Sequence, residues 1–137
     1  MLTVGKTNCH IKLVSTVKNK MDPRHELRVK IIQQLFALSF EKGKVLKQDK
    51  KTVEILKNLL KINNYIKEFA PKYPINRISK VDLAILQLAV YELLFEKQTP
   101  PKVVIDEAVE LSKELGSEKT FGFVNAVLGK VYQNKLT

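Results

Sequence analysis

The stretch Val81-Asp82-Leu83-Ala84-Ile85-Leu86-Gln87-Leu88-Ala89-Val90-Tyr91-Glu92-Leu93-Leu94 decides the fold. Leu83, Leu86, Val90, Leu93 and Leu94 recur at three- and four-residue steps, the period of an α-helix. Ala84, Ile85, Leu88 and Ala89 fill the intervening positions, so the helix has few polar sides. A helix that is apolar nearly all round is a buried, central one. Ser79-Lys80-Val81-Asp82 opens it as a capping box, with Asp where Glu is usual. The helix is expected to run to about Lys97, before the break at Thr99-Pro100-Pro101.

Downstream, Lys102 to Leu115 reads as a helix with Ile105, Ala108, Val109, Ser112 and Leu115 inward. Asp106, Glu107, Glu110 and Glu114 are expected largely on its solvent face. Gly116 suits a left-handed residue at the helix end. A last helix follows from about Glu118 to Lys135, with Phe121, Val124, Leu128 and Val131 or Tyr132 in phase. Upstream, Asp22-Pro23 is an N-cap followed by proline at the first helical position. Leu27, Ile31, Leu35 and Leu38 then mark a first helix, broadened by Ile32 and Phe36 and ending near Glu41. Between them, a second helix beginning at Asp49 or Thr52 carries Val53, Leu56, Leu59, Leu60 and Asn63 on one face. It continues to Phe69, where Pro71 and Pro74 stop it. After Met21 no stretch alternates at period two. The expectation is an all-α bundle of about six to seven helices.

At 137 residues the chain suits one domain. Two parts are expected: a basic tail over 1–21, mobile, and a helical domain over 22–137. Met21 is a candidate for the original start. The single cysteine, Cys9, forms no intrachain disulfide, and no Cys/His set has zinc-finger spacing. No apolar run approaches the ~18 residues of a membrane span. A reducing cytoplasm fits.

Charge is the strongest compositional signal. Lys and Arg total 24 against 14 Asp and Glu, a formal net charge of +10. Residues 1–20 contribute +4 with no acid, and 21–50 a further +3. Such a balance attracts polyanions, nucleic acid foremost. There is no glycine-rich nucleotide loop, no nucleophile elbow, and no assembled base, nucleophile and oxyanion donor. No catalytic residue, cofactor or metal site is therefore expected; His10, His25 and the acids Asp106, Glu107 and Glu110 read as ordinary surface or capping residues. The basic start of the first helix, with Arg24, His25, Arg28 and Lys30, is the better lead. Arg24 and Arg28 stand one turn apart, and guanidinium pairs with phosphate. Asp22 and Glu26 offset part of that charge.

Three motifs in order carry a resemblance. They are the Tyr91-Glu92-Leu93 helix, Val104-Ile105-Asp106-Glu107-Ala108-Val109-Glu110-Leu111, and Phe123-Val124-Asn125-Ala126-Val127-Leu128. Over about residues 22–135 the chain resembles the NusB family of bacterial transcription antitermination factors. Gln33-Gln34-Leu35-Phe36 fits the family's first helix. The resemblance implies an all-helical, monomeric or homodimeric RNA-binding protein. Such a protein pairs with the ribosomal protein NusE, binds a boxA-like single strand of ribosomal RNA leader, and joins the RNA polymerase antitermination complex. Carried over by position, RNA contacts fall on Arg24, His25 and Arg28, with Lys30 added by its charge, and on Lys119 and Phe123. Partner contacts fall on Phe36 and Asp82. Asn125, interrupting an apolar helix, is expected to be a buried amide bonded to backbone or to Glu107. Gln87, Ala126 and Gly129 depart from the family's usual Arg, Gly and acid. Two further readings stand beside this one. NusB-like domains also form the N-terminal part of ribosomal RNA cytosine methyltransferases, and a protein-only scaffold would use its charge for solubility.

Overall fold

The computed structural model describes residues 22–136. The tail expected over 1–21 lies outside the described residues, as does Thr137. Every regular element among the described residues is helical: α1 (Pro23–Leu38), α2 (Lys50–Lys57), α3 (Leu59–Phe69), α4 (Lys80–Val90), α5 (Pro101–Leu115) and α6 (Glu118–Val131), with a 3-10 turn at Ile75–Arg77.

The central helix is α4. Ser79 caps it, its hydroxyl accepting from the Asp82 N–H at 3.1 Å. Val81, Ala84, Ile85, Leu86, Leu88, Ala89 and Val90 are all buried, because α4 packs against α1, α3, α5 and α6 at once. Tyr91–Glu96 continues the helix in wider turns. The Lys97 N–H closes them by donating to the Glu92 carbonyl at 3.0 Å. Lys97 itself is left-handed, φ 55° and ψ 29°, which ends the helix before the two prolines. Pro101 then occupies the first position of α5, where its missing N–H costs nothing.

α1 starts as expected, with Asp22 accepting from the Arg24 N–H at 3.0 Å. It ends at Leu38, three residues early, because Ser39 and Phe40 turn back onto the carbonyls of Phe36 and Ala37. Gly43 follows, its N–H donating to the Phe40 carbonyl at 2.9 Å. A β-carbon there would overlap the Ala37 carbonyl oxygen, so only glycine fits. The basic connector beyond is stitched down by Gln34. Its amide donates to the Lys47 carbonyl at 3.2 Å, and its oxygen accepts from the Asp49 N–H at 3.0 Å and the buried Thr52 hydroxyl at 2.7 Å.

The second helix expected over 49–69 is divided at Asn58, whose φ of −107° and ψ of 14° interrupt it. The Asn58 side chain donates to the Glu54 carbonyl at 2.8 Å, a local bond that competes with the helical ladder. Its inward face also differs from the expected one. Thr52, Ile55, Ile62, Ile66 and Phe69 are buried, whereas Leu60 is 77% exposed. Leu56 and Leu59 of the expected face do pack at the edge of the core, so the inward face is rotated from the expected one and Leu60 is left outside it.

In α5 the buried set is Val104, Ala108, Leu111, Ser112 and Leu115. Gly116 is extended, φ −107° and ψ −162°, and not left-handed. Its value is closeness: a β-carbon would stand 2.6–2.7 Å from Thr120 side-chain atoms. Thr120 in turn accepts from the Ser117 N–H at 3.0 Å, opening α6. Val124, Val127, Leu128 and Val131 bury the inner face of α6, while Phe121 is 42% exposed. Among the described residues no helix is long and apolar enough to cross a membrane.

Candidate functional site

The start of α1 does not present its cations as a row. α1 packs along α4, and its first-turn side chains meet different surroundings. Arg24 faces solvent, 83% exposed at the side chain, with Asp22 at 3.8 Å. Lys30 is also exposed, about 120° round the helix from Arg24. His25 and Arg28, expected beside them at an RNA surface, are buried at 3% and 8% exposure.

His25 lies between two carboxylates of α5. Its Nδ1 donates to Glu107 Oε1 at 3.0 Å and its Nε2 to a Glu114 carboxylate oxygen at 2.9 Å. A ring that donates at both nitrogens is an imidazolium. Burial is the largest influence and opposes the charge. The hydrogen bonds and charges of Glu107 and Glu114 outweigh it and raise the pKa above the ordinary 6.5. Arg28 makes a fork on Glu92, Nε at 3.0 Å and Nη2 at 2.8 Å, and stands 3.7 Å from Glu107. Its burial also opposes charge, and Glu92 prevails. Lys51 of α2 extends the chain to Glu92 at 3.9 Å and Glu96 at 3.2 Å. A cavity of about 10 Å³ beside Arg28 and Glu92 is at the lower limit for one water.

This clamp sets three cations against four carboxylates. It adds no positive field to the surface. His25 and Arg28 thus seat α1 on Glu92 and α5, with both His25 nitrogens and the Arg28 Nε and Nη2 already bonded. Glu107 and Glu114, read from the sequence as solvent-facing, turn inward to meet them. The signal that could have found this is Glu92. A carboxylate inside the most apolar helix requires a buried cation.

The other expected residues separate. Lys119 is exposed in the first turn of α6. It follows by five residues Glu114, the partner of His25 in the first turn of α1. Phe123, one turn further along α6, is half-buried and meets Tyr73 edge-on, centroids 5.1 Å apart. Phe36, expected to dock a partner, is 5% exposed in the core. It sits under Phe40 in an edge-on contact at 5.1 Å. Phe40 is nearer the surface, with the Lys80 ammonium 5.1 Å from its ring centre. Asp82 is part-exposed at the start of α4, and its Oδ1 is buried without a hydrogen-bond partner. Asn125 is exposed, so it is not the buried amide expected from its apolar neighbours. The buried amides are Gln34, at the connector, and Gln87, which donates to Asn63 at 3.0 Å. Among the described residues no group of three or more His, Cys, Asp or Glu side chains could hold a metal ion.

Comparison with known proteins places this arrangement. The sequence profile of the NusB family matches residues 11–133. The chain belongs to the NusB family. The solved structure of T. maritima NusB superposes with a TM-score of 0.70 at 35% identity, covering 82% of this chain and 92% of that one. The transcription antitermination protein NusB of Treponema denticola is 43% identical over 76 residues, 56% of each chain. That of Natranaerobius thermophilus is 47% identical over 74 residues, 54% of this chain and 53% of its own. That of Caldicellulosiruptor saccharolyticus is 42% identical over 82 residues, 60% of this chain and 63% of its own. The aligned stretch thus spans little more than half the length of these curated relatives. Within this NusB-family fold, exposed cations stand at the starts of α1 and α6. The buried clamp fixes the angle at which α1 presents Arg24.

Proposed function

We propose that this protein is an RNA-binding transcription antitermination factor. It binds boxA-type ribosomal RNA leader together with NusE and promotes read-through by RNA polymerase. The observation that carries this reading is membership of the NusB family across residues 11–133. In the proposal Arg24, Lys30 and Lys119 hold phosphates, Phe123 contributes a ring to a base, and His25 and Arg28 position α1 from within. The part-exposed Asp82 and the rim formed by Phe40 and Lys80 receive NusE, with Phe36 supporting that rim from below. The action is stoichiometric: single-stranded bases are held at helix ends and a second protein completes the site.

The test is RNA binding with and without NusE, comparing a boxA oligonucleotide with a scrambled one. The expected result is weak binding alone and tighter, selective binding with NusE. Equal affinity for both RNAs in the presence of NusE would overturn the reading in favour of general polyanion attraction. Arg24→Ala combined with Lys119→Ala should weaken binding without changing the melting temperature, since both side chains are exposed. Each lost phosphate contact should flatten the plot of log affinity against log salt by about 0.7 for a single strand. An unchanged slope would move the phosphate site elsewhere.

A further inference from the structure

The loop between α3 and α4 carries a feature that the reading above does not use. Pro71 and Pro74 stop α3, and the chain folds into short turns, Tyr73 N–H to Ala70 carbonyl at 3.1 Å and Arg77 N–H to Pro74 carbonyl at 2.8 Å. An open groove of about 620 Å³ results, lined by Lys67, Pro71, Tyr73, Pro74, Ile75 and Asn76. Tyr73 is 53% exposed, yet its ring is held by the edge-on contact with Phe123, in a segment bracketed by Pro71 and Pro74.

The charge around this groove is one-sided. Lys67, Lys72 and Arg77 are exposed and form no ion pair among the described residues. The one acid between 67 and 78 is Glu68, and Lys135 stands 3.8 Å from it. A fixed exposed aromatic beside unneutralised cations is the composition of a single-strand platform, where rings stack on bases and cations follow the backbone. The platform is also continuous with the proposed RNA end. Lys119 and Phe123 are one turn apart on α6, and Phe123 touches Tyr73.

We propose that Tyr73 and this groove form a second subsite for single-stranded RNA. One base stacks on the Tyr73 ring, and Lys67, Lys72 and Arg77 hold the flanking phosphates. The proposal rests on the RNA-binding reading given above and extends its path to the α3–α4 loop.

The experiment is binding of a labelled single-stranded RNA of about 12 nucleotides, within the usual span of such sites, to the full chain and its variants. Tyr73→Ala should weaken binding roughly ten-fold, the loss expected for one stacked base, with the circular dichroism and melting temperature unchanged. Tyr73→Phe should keep the affinity. Because the chain contains no tryptophan, Tyr73→Trp provides a single reporter whose fluorescence should be quenched as RNA is added. Wild-type affinity in Tyr73→Ala would overturn the subsite. If Arg24→Ala and Lys119→Ala weaken binding while Tyr73→Ala does not, the RNA reading stands and the subsite falls. If the wild-type chain binds no RNA, both fall. Indole fluorescence of the Tyr73→Trp variant that responds to NusE but not to RNA would give the groove to a protein and likewise overturn the proposal.

Discussion

Glu92→Ala is expected to lower the unfolding free energy by about 3–5 kcal/mol, the usual cost of removing one member of a buried ion pair. Domains of this kind have roughly 5–15 kcal/mol in total, so the loss is a large share. The reason lies in what remains. Glu92 is 1% exposed and accepts two hydrogen bonds from Arg28. Without it the guanidinium stays between α1 and α4, with Glu107 at 3.7 Å as its nearest remaining carboxylate. Lys51 loses one of its two carboxylates as well. Urea unfolding reads the effect as a lower midpoint at similar slope. The double replacement Arg28→Met with Glu92→Leu removes both charges together. It should recover most of the stability, because apolar groups of similar size can replace a buried pair. A Glu92→Ala protein as stable as the wild type would show that the clamp contributes nothing to holding α1. The same logic makes Arg28→Ala a folding variant and unsuitable as a probe of RNA contact.

Stability should also fall as the pH rises above neutrality, and His25 should be the cause. Its pKa is raised in the folded protein above the unfolded value of 6.5. The folded state therefore binds the proton more tightly. The stabilisation is complete below pH 6.5 and is lost as the pH rises through the folded-state value. In that window the slope can reach about 1.4 kcal/mol per pH unit for one proton. The influences that set it are burial, which opposes the charge, and Glu107 and Glu114, in contact with the ring, which outweigh it. His25→Gln, which cannot carry the charge, should be less stable at about pH 6 and should lose this slope. Urea midpoints measured from about pH 6 to 9 decide it. Parallel curves for the two proteins would remove His25 as the source.

The sequence makes the helices legible and the charges misleading, for the same reason. Periodicity reports which side of a helix is apolar, so the buried α4 is readable from Leu83 to Leu94. It does not report what polar residues do at the edges of that side. His25 and Arg28 follow a cap in a chain of high positive charge, and such residues are normally solvated. Their partners are distant: Glu107 and Glu114 lie 82 and 89 positions from His25, and Glu92 lies 64 from Arg28, beyond any local pattern. Resemblance draws Phe36 to the surface, although its own stripe, with Ile32 and Leu35, points to the core. Asn58, which divides the second helix, and Asn125, which faces water, show a related difficulty. An amide in an apolar run can cut the helix by bonding its own backbone, or can simply face water, and spacing does not separate the two. Lys119 requires no tertiary partner to be exposed, and the first turn of a capped helix leaves it so.

The clamp also bears on the order of assembly. The α5–α6 hairpin is joined by two residues, Gly116 and Ser117, whereas Arg28 and Glu92 are 64 apart and His25 and Glu114 are 89 apart. Closing the longer loops costs more chain entropy, and a forked ion pair needs near-final geometry before it repays desolvation. Such a contact is expected to form after the rate-limiting barrier to folding and to act as a latch. Weakening it should speed opening and leave the closing rate nearly unchanged. In stopped-flow chevrons of Glu92→Ala, the unfolding limb is the one that should move.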